Sequence, residues 1–138
     1  IYPAHDLMKI LPESDYVAIC CQWTPDTEKL INREAFNAMK QGTVLINIAR
    51  GEIIDETALI EALEVKKLRG VVLDVYRGEF DHAPDYRLWN DSRVLITPHI
   101  SAASDINSHK GNELFLRNLN RYLRGEELEN IINWKLGY

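Results

Sequence analysis

The sequence predicts an α/β protein, part of a doubly wound parallel sheet followed by a long C-terminal helix. Three observations carry that expectation. Four short runs of apolar and β-branched residues alternate with helix-like stretches along the 138 residues, the order produced by strand–helix–strand units with right-handed crossovers. The runs show no polar alternation, which suits strands buried on both faces beneath helices. The last long stretch spaces its apolar residues at the helical period.

The first run is Tyr16-Val17-Ala18-Ile19-Cys20-Cys21, entered through the polar Pro12-Glu13-Ser14-Asp15. A helix is expected from Arg33 to Lys40, stopped at Gln41-Gly42. Thr43-Val44-Leu45-Ile46-Asn47-Ile48 is the second strand. Asp55-Glu56-Thr57 opens the next helix, with carboxylates at the end that the helix dipole favours. Leu59, Ile60 and Leu63 are its apolar stripe, and Gly70 closes the connection. The third strand is Gly70-Val71-Val72-Leu73-Asp74-Val75, and the fourth is Val94-Leu95-Ile96-Thr97, stopped by Pro98. A long helix is expected from about Ala102 to Leu123, ending at Arg124-Gly125, with Leu114, Phe115, Leu119, Tyr122 and Leu123 at helical spacing. No G-x-G-x-x-G turn opens the chain. The first strand should therefore lack a neighbour on one side, an aggregation hazard if left uncovered. This points to the C-terminal part of a longer protein.

Composition narrows the function classes. The chain is 46% hydrophobic and 27% charged, enough apolar material for a core. A net charge of −5 with no concentrated basic face argues against nucleic-acid binding. Apolar runs of about five residues fall far short of the roughly 20 that span a bilayer. The opening Ile1 to Asp6 does not resemble a signal peptide. Cys20 and Cys21 are adjacent, which rules out an ordinary structural disulfide between them. Nor does their spacing suit zinc. They are expected in the core and at a strand end, as reduced thiols in a cytoplasmic protein.

Chemistry gathers where strands end, the edge at which open α/β sheets bind ligands. Arg50 follows the second strand, Glu79 the third and His99 the fourth. A guanidinium grips a carboxylate with paired hydrogen bonds. A histidine beside a carboxylate is oriented to give a proton to a carbonyl oxygen. His5, His82 and His109 have no metal-like partners in sequence, and Trp89 is expected to pack the loop after Glu79.

The strings Ser14-Asp15-Tyr16-Val17, Thr24-Pro25-Asp26-Thr27, Asn47-Ile48-Ala49-Arg50-Gly51, Gly70-Val71-Val72-Leu73-Asp74-Val75 and Thr97-Pro98-His99-Ile100 occur in one order and spacing. In these the chain resembles the NAD-binding, C-terminal half of the D-isomer-specific 2-hydroxyacid dehydrogenases. The resemblance implies a Rossmann-like domain, residues 1–101, without its Gly-rich first βαβ unit. Residues 102–138 would be a helix and tail returning to a missing substrate domain, with Trp134 as an anchor. It implies hydride transfer between NAD or NADP and a small 2-keto or 2-hydroxy acid. Arg50 would bind the substrate, His99 would donate the proton, and Glu79 would pair with His99 and favour its charged form. Cys21, Thr27, Ile48, Ala49, Arg50, Asp74, His99 and Ser101 would line the cofactor, Asp74 by accepting from the nicotinamide carboxamide or its ribose. A homodimer is implied, as is inactivity of the chain in isolation. An NAD(H)-sensing, corepressor-like protein with the same residues is the alternative. The sequence departs from the family pattern at Phe80, where proline is usual, at Cys20-Cys21-Gln22, and at Ser101-Ala102.

Overall fold

A computed structural model describes residues 3–135. One compact unit ends at Ile100 and a second begins at Ser101. The first holds four parallel strands, β1 (Tyr16–Ile19), β2 (Thr43–Asn47), β3 (Leu68–Leu73) and β4 (Val94–Ile96), side by side in chain order. Helix α1 (Leu7–Ile10) and a 3-10 turn (Leu11–Glu13) precede β1, so the entry expected to be a polar loop is partly helical. Leu11 in that turn is buried in the core.

Helix α2 (Arg33–Ala38) joins β1 to β2, and α3 (Glu56–Glu64) joins β2 to β3. Both start where the sequence places a cap. Asn32 accepts the Ala35 amide and Asp55 accepts the Ala58 amide, each satisfying a donor the first turn leaves free. Gly42, at φ +84°, turns the chain from α2 into β2. Gly70 does not close the connection after α3, because β3 starts two residues earlier and takes Gly70 into the ladder opposite Val44.

The register lays side chains in rows across the sheet. Val17, Leu45, Val71 and Val94 form one row, and Ile19, Asn47, Leu73 and Ile96 another. These rows contribute to the core that α2 and α3 cover with Phe36, Leu59 and Leu63, joined by Met39 just past α2. The opposite face carries Ala18, Ile46, Val72 and Leu95 in register and is only partly buried. Burial on both faces is thus not observed. Right-handed crossovers that step one strand at a time in one direction put α2 and α3 on the same side.

In the second unit, α5 (Asn107–Leu123) starts five residues later than the sequence suggests. Ser104 Oγ takes the Ile106 amide and Asn107 bonds the Ala102 carbonyl, which holds the preceding residues in a turn. The following tail folds back on α5. Glu129 pairs with Arg117 and Arg121, and its backbone exchanges hydrogen bonds with Asn118. Among the described residues no helix is long and apolar enough to cross a membrane, and no group of three acidic, His or Cys side chains could hold a metal.

Candidate active site

Strand β2 ends in a turn built by its own last residue. Asn47 is fully buried. Its Nδ2 donates to the Arg50 carbonyl at 2.9 Å and its Oδ1 accepts the Ala49 amide at 3.0 Å. This clamp buries Ala49, leaves Ile48 42% exposed, and presents the Arg50 side chain to solvent from an extended backbone. Arg50 Nη1 donates to the Ala49 carbonyl at 2.6 Å. The next residue, Gly51, is pressed against the loop after β3. A Cβ there would stand 2.2 Å from Arg77 N and from the Tyr76 carbonyl carbon, a distance no side chain tolerates. The glycine therefore lets the Arg50 turn touch the loop that carries Glu79.

That loop is itself tightly wound. Gly78 sits at φ +76°, and a Cβ would collide with the His82 ring. The Gly78 carbonyl accepts from Asp81 N and His82 N, and the Tyr76 hydroxyl donates to the His82 carbonyl at 2.9 Å. Glu79 projects from this frame with its side chain 12% exposed.

After β4, Asp74 organises the turn. It is 2% exposed, and its carboxylate accepts from Thr97 Oγ1 and from the Ile100 amide, while its carbonyl accepts the His99 amide at 2.9 Å. His99 adopts φ +52°, the left-handed region that costs a non-glycine residue about 1–2 kcal/mol. Bonds to Asp74 on both sides of it hold that conformation. The result aims the imidazole at Glu79, with Nδ1 and Oε1 2.8 Å apart. A carboxylate only accepts, so the hydrogen lies on Nδ1, and Nε2 becomes the ring atom that can exchange a proton with a ligand. Phe80 flanks the same ring, centroids 6.0 Å apart.

The remaining candidates divide. Cys20 and Cys21 lie just past β1 and are exposed rather than in the core. The chain has already left the sheet there. Partial burial nevertheless pushes the Cys21 thiol up, which keeps it in its unreactive protonated form. Thr27 ties the segment after β1 together, donating to the Gln22 carbonyl at 2.7 Å and accepting from Thr24 N. Ser101 opens the second unit and is exposed. Trp89, on α4 (Tyr86–Trp89), lines a cavity together with Glu79, Phe80 and Pro84 of the loop after β3. Leu88 is the buried residue of that turn, and the indole is 66% exposed.

The sequence profile of the D-isomer specific 2-hydroxyacid dehydrogenase NAD binding domain matches residues 1–101. The chain belongs to this family. It is 38% identical over 133 residues to the glyoxylate reductase of Pyrococcus horikoshii, an alignment covering 95% of this chain and 38% of that protein. Among solved structures, a D-isomer specific 2-hydroxyacid dehydrogenase from Xanthobacter autotrophicus in complex with NADPH superposes with a TM-score of 0.89 at 30% identity. That match covers 100% of this chain and 56% of the other. The NADPH-dependent glyoxylate/hydroxypyruvate reductase of Sinorhizobium meliloti, in complex with NADP, matches with a TM-score of 0.87 at 29% identity, over 99% of this chain and 44% of the other. The chain thus spans well under two thirds of the length of these relatives.

In this member of the family the site also depends on residues of the motif strings that carry no chemistry of their own. Asn47 shapes the Arg50 turn, Gly51 admits the neighbouring loop, and Thr97 helps hold the His99 turn to Asp74. Asn47 and Asp74 are polar residues inside apolar strand runs. Buried polar groups need partners, and that was the available sequence signal for both. Gly51 stands in the same string as Arg50, but its role rests on an approach between segments distant in sequence.

Proposed function

We propose that the chain is the catalytic strand-end portion of an NAD(P)-dependent dehydrogenase that interconverts a small 2-keto acid and its D-2-hydroxy acid. The observation that carries this reading is the Glu79–His99 pair, 2.8 Å apart at the carboxyl ends of β3 and β4, with Arg50 after the neighbouring strand. The residues fit a nicotinamide cofactor laid across these ends. Ile48 offers an exposed apolar side chain there, and the segment from Cys21 to Thr27 follows β1. The His99–Ser101 turn follows β4. Asp74 anchors that turn, with the carboxamide or ribose assigned to its carboxylate as a further donor. The cofactor, when bound, supplies the hydride.

The protein's own work is placement and proton transfer. Arg50 grips the substrate carboxylate with paired N–H donors, which fixes the carbonyl relative to His99. Glu79 holds Nδ1 and so fixes the ring orientation. His99, protonated, gives its Nε2 proton to the carbonyl oxygen during reduction. In the reverse direction it must be neutral to take the hydroxyl proton, so oxidation is favoured at higher pH.

The test is nicotinamide oxidation by the complete protein with a panel of 2-keto acids. His99→Ala is expected to lower kcat by about 10²–10⁴-fold and to abolish the pH dependence of reduction. Arg50→Ala is expected to raise KM and lower kcat together. Cofactor binding without turnover would favour the sensor alternative, and wild-type rates in either variant would overturn the assignment.

A further inference from the structure

Beside the His99–Glu79 pair lies a cavity of about 370 Å³, walled by Phe80, Pro84, Trp89, Ile96 and Pro98, with His99 and Glu79 on its lining. Its size falls within the roughly 300–1,000 Å³ of small-ligand sites. Phe80 is 87% exposed and Trp89 66% exposed, so two large aromatic surfaces face solvent next to the proton donor. The lining includes Tyr76 and Thr97 but no lysine or arginine, and the one acidic side chain is Glu79.

This chemistry decides which end of a 2-keto acid belongs there. Protonation by His99 requires the carbonyl oxygen to lie near Nε2. The carbonyl carbon then has two other substituents, a carboxylate and a side chain. An apolar cavity with a carboxylate in its wall repels and cannot solvate the substrate's own carboxylate. Arg50, after β2, takes that end instead. We propose that the Phe80–Trp89 cavity receives the non-reacting side chain, so the favoured substrates are 2-keto acids with an apolar, branched or aromatic substituent and no second charge. The proposal rests on the dehydrogenase reading above and adds the substrate class. It also accounts for Phe80, which stands where the family usually has proline, since the Phe80 ring borders both the imidazole and the cavity.

The experiment compares kcat/KM of the complete protein for glyoxylate, pyruvate, 4-methyl-2-oxopentanoate, phenylpyruvate and oxaloacetate. A rise of at least about tenfold from glyoxylate to phenylpyruvate is expected, since each added apolar group in a matching pocket is worth roughly that factor. Oxaloacetate, with a second carboxylate, should fall below pyruvate. Trp89→Ala should shrink the phenylpyruvate-to-glyoxylate ratio to within about threefold, and Trp89→Arg should raise oxaloacetate relative to phenylpyruvate. Both change an exposed side chain, and circular dichroism checks that the fold is kept. As an equilibrium readout, phenylpyruvate with NAD⁺, which cannot reduce it, should quench tryptophan fluorescence in the wild type and less so in Trp89→Ala. Turnover of glyoxylate with no gain along the apolar series, or an unchanged ratio in Trp89→Ala, overturns the cavity assignment and leaves the dehydrogenase reading standing. Absence of nicotinamide oxidation with every acid overturns both.

Discussion

At Gly51 a single missing methyl decides whether two loops can meet. The backbone of Tyr76 and Arg77 occupies the space a Cβ would need, at 2.2 Å, and backbone cannot swing aside as a side-chain tip can. Gly51→Ala is expected to cost about 3 kcal/mol, the upper range for overpacking, read as a lower denaturant midpoint with unchanged slope. Gly70→Ala is the control. Its Cβ would meet Val44 Cγ2 at 3.8 Å, an ordinary contact, and it should stay within about 1 kcal/mol of wild type. Equal losses in the two variants would refute the steric account. The same residues mark the limit of sequence legibility. Arg50, Glu79 and His99 were visible because each follows an apolar run and their spacing matches a known pattern. The Glu79–His99 hydrogen bond confirms two of them as neighbours in space. Gly51 and Phe80 acquire their meaning only from contacts between loops, which no local pattern encodes.

Among the elements, the strands and the capped helices were legible, and the short turn α4 was not. Four residues carry too little periodicity to signal a helix. Asp85 creates it locally by accepting the Arg87 amide at 2.8 Å and the Arg87 guanidinium through both oxygens. That guanidinium, together with the amide bond, holds the Asp85 carboxyl at about 2. A carboxyl depressed on folding contributes its stabilisation above its unfolded value, near 3.8, and loses it as pH falls through about 2. The α4 cap should therefore be constant from about pH 5 to 8 and fail only in strong acid. Asp85→Ala should free the turn across that whole range, seen as faster hydrogen exchange at the Leu88, Trp89 and Asn90 amides, which bond the Asp85 and Tyr86 carbonyls in the wild type. Unchanged exchange at neutral pH would show that α4 is held by Leu88 packing alone. Because α4 carries Trp89, the variant also loosens one wall of the cavity beside His99.

For the molecule as a whole, the parallel sheet is legible in the sequence, but its strand order and its coverage come from the structure. The apolar runs signal a sheet meant to be buried on both faces, whereas α2 and α3 cover one. On the other, Ala18, Ile46, Val72 and Leu95 form a continuous apolar row, with Tyr16 63% exposed beside it under the Arg69 guanidinium. Helix α5 buries no side chain, and Phe115, Leu116, Leu119, Tyr122 and Leu123 are exposed along it. Apolar surface of this extent drives association in water. The 138-residue chain by itself is therefore expected to sediment as species larger than 15.9 kDa and to bind a hydrophobic dye. It should oxidise no NADH with any 2-keto acid, because it contains no Gly-rich turn to seat the cofactor's pyrophosphate. Supplying the remaining length of a family member on the same polypeptide should suppress dye binding and restore turnover together. A monodisperse 15.9 kDa species that leaves the dye dark would show that the open face is satisfied within the chain. Turnover by that species would place the whole cofactor site within these residues.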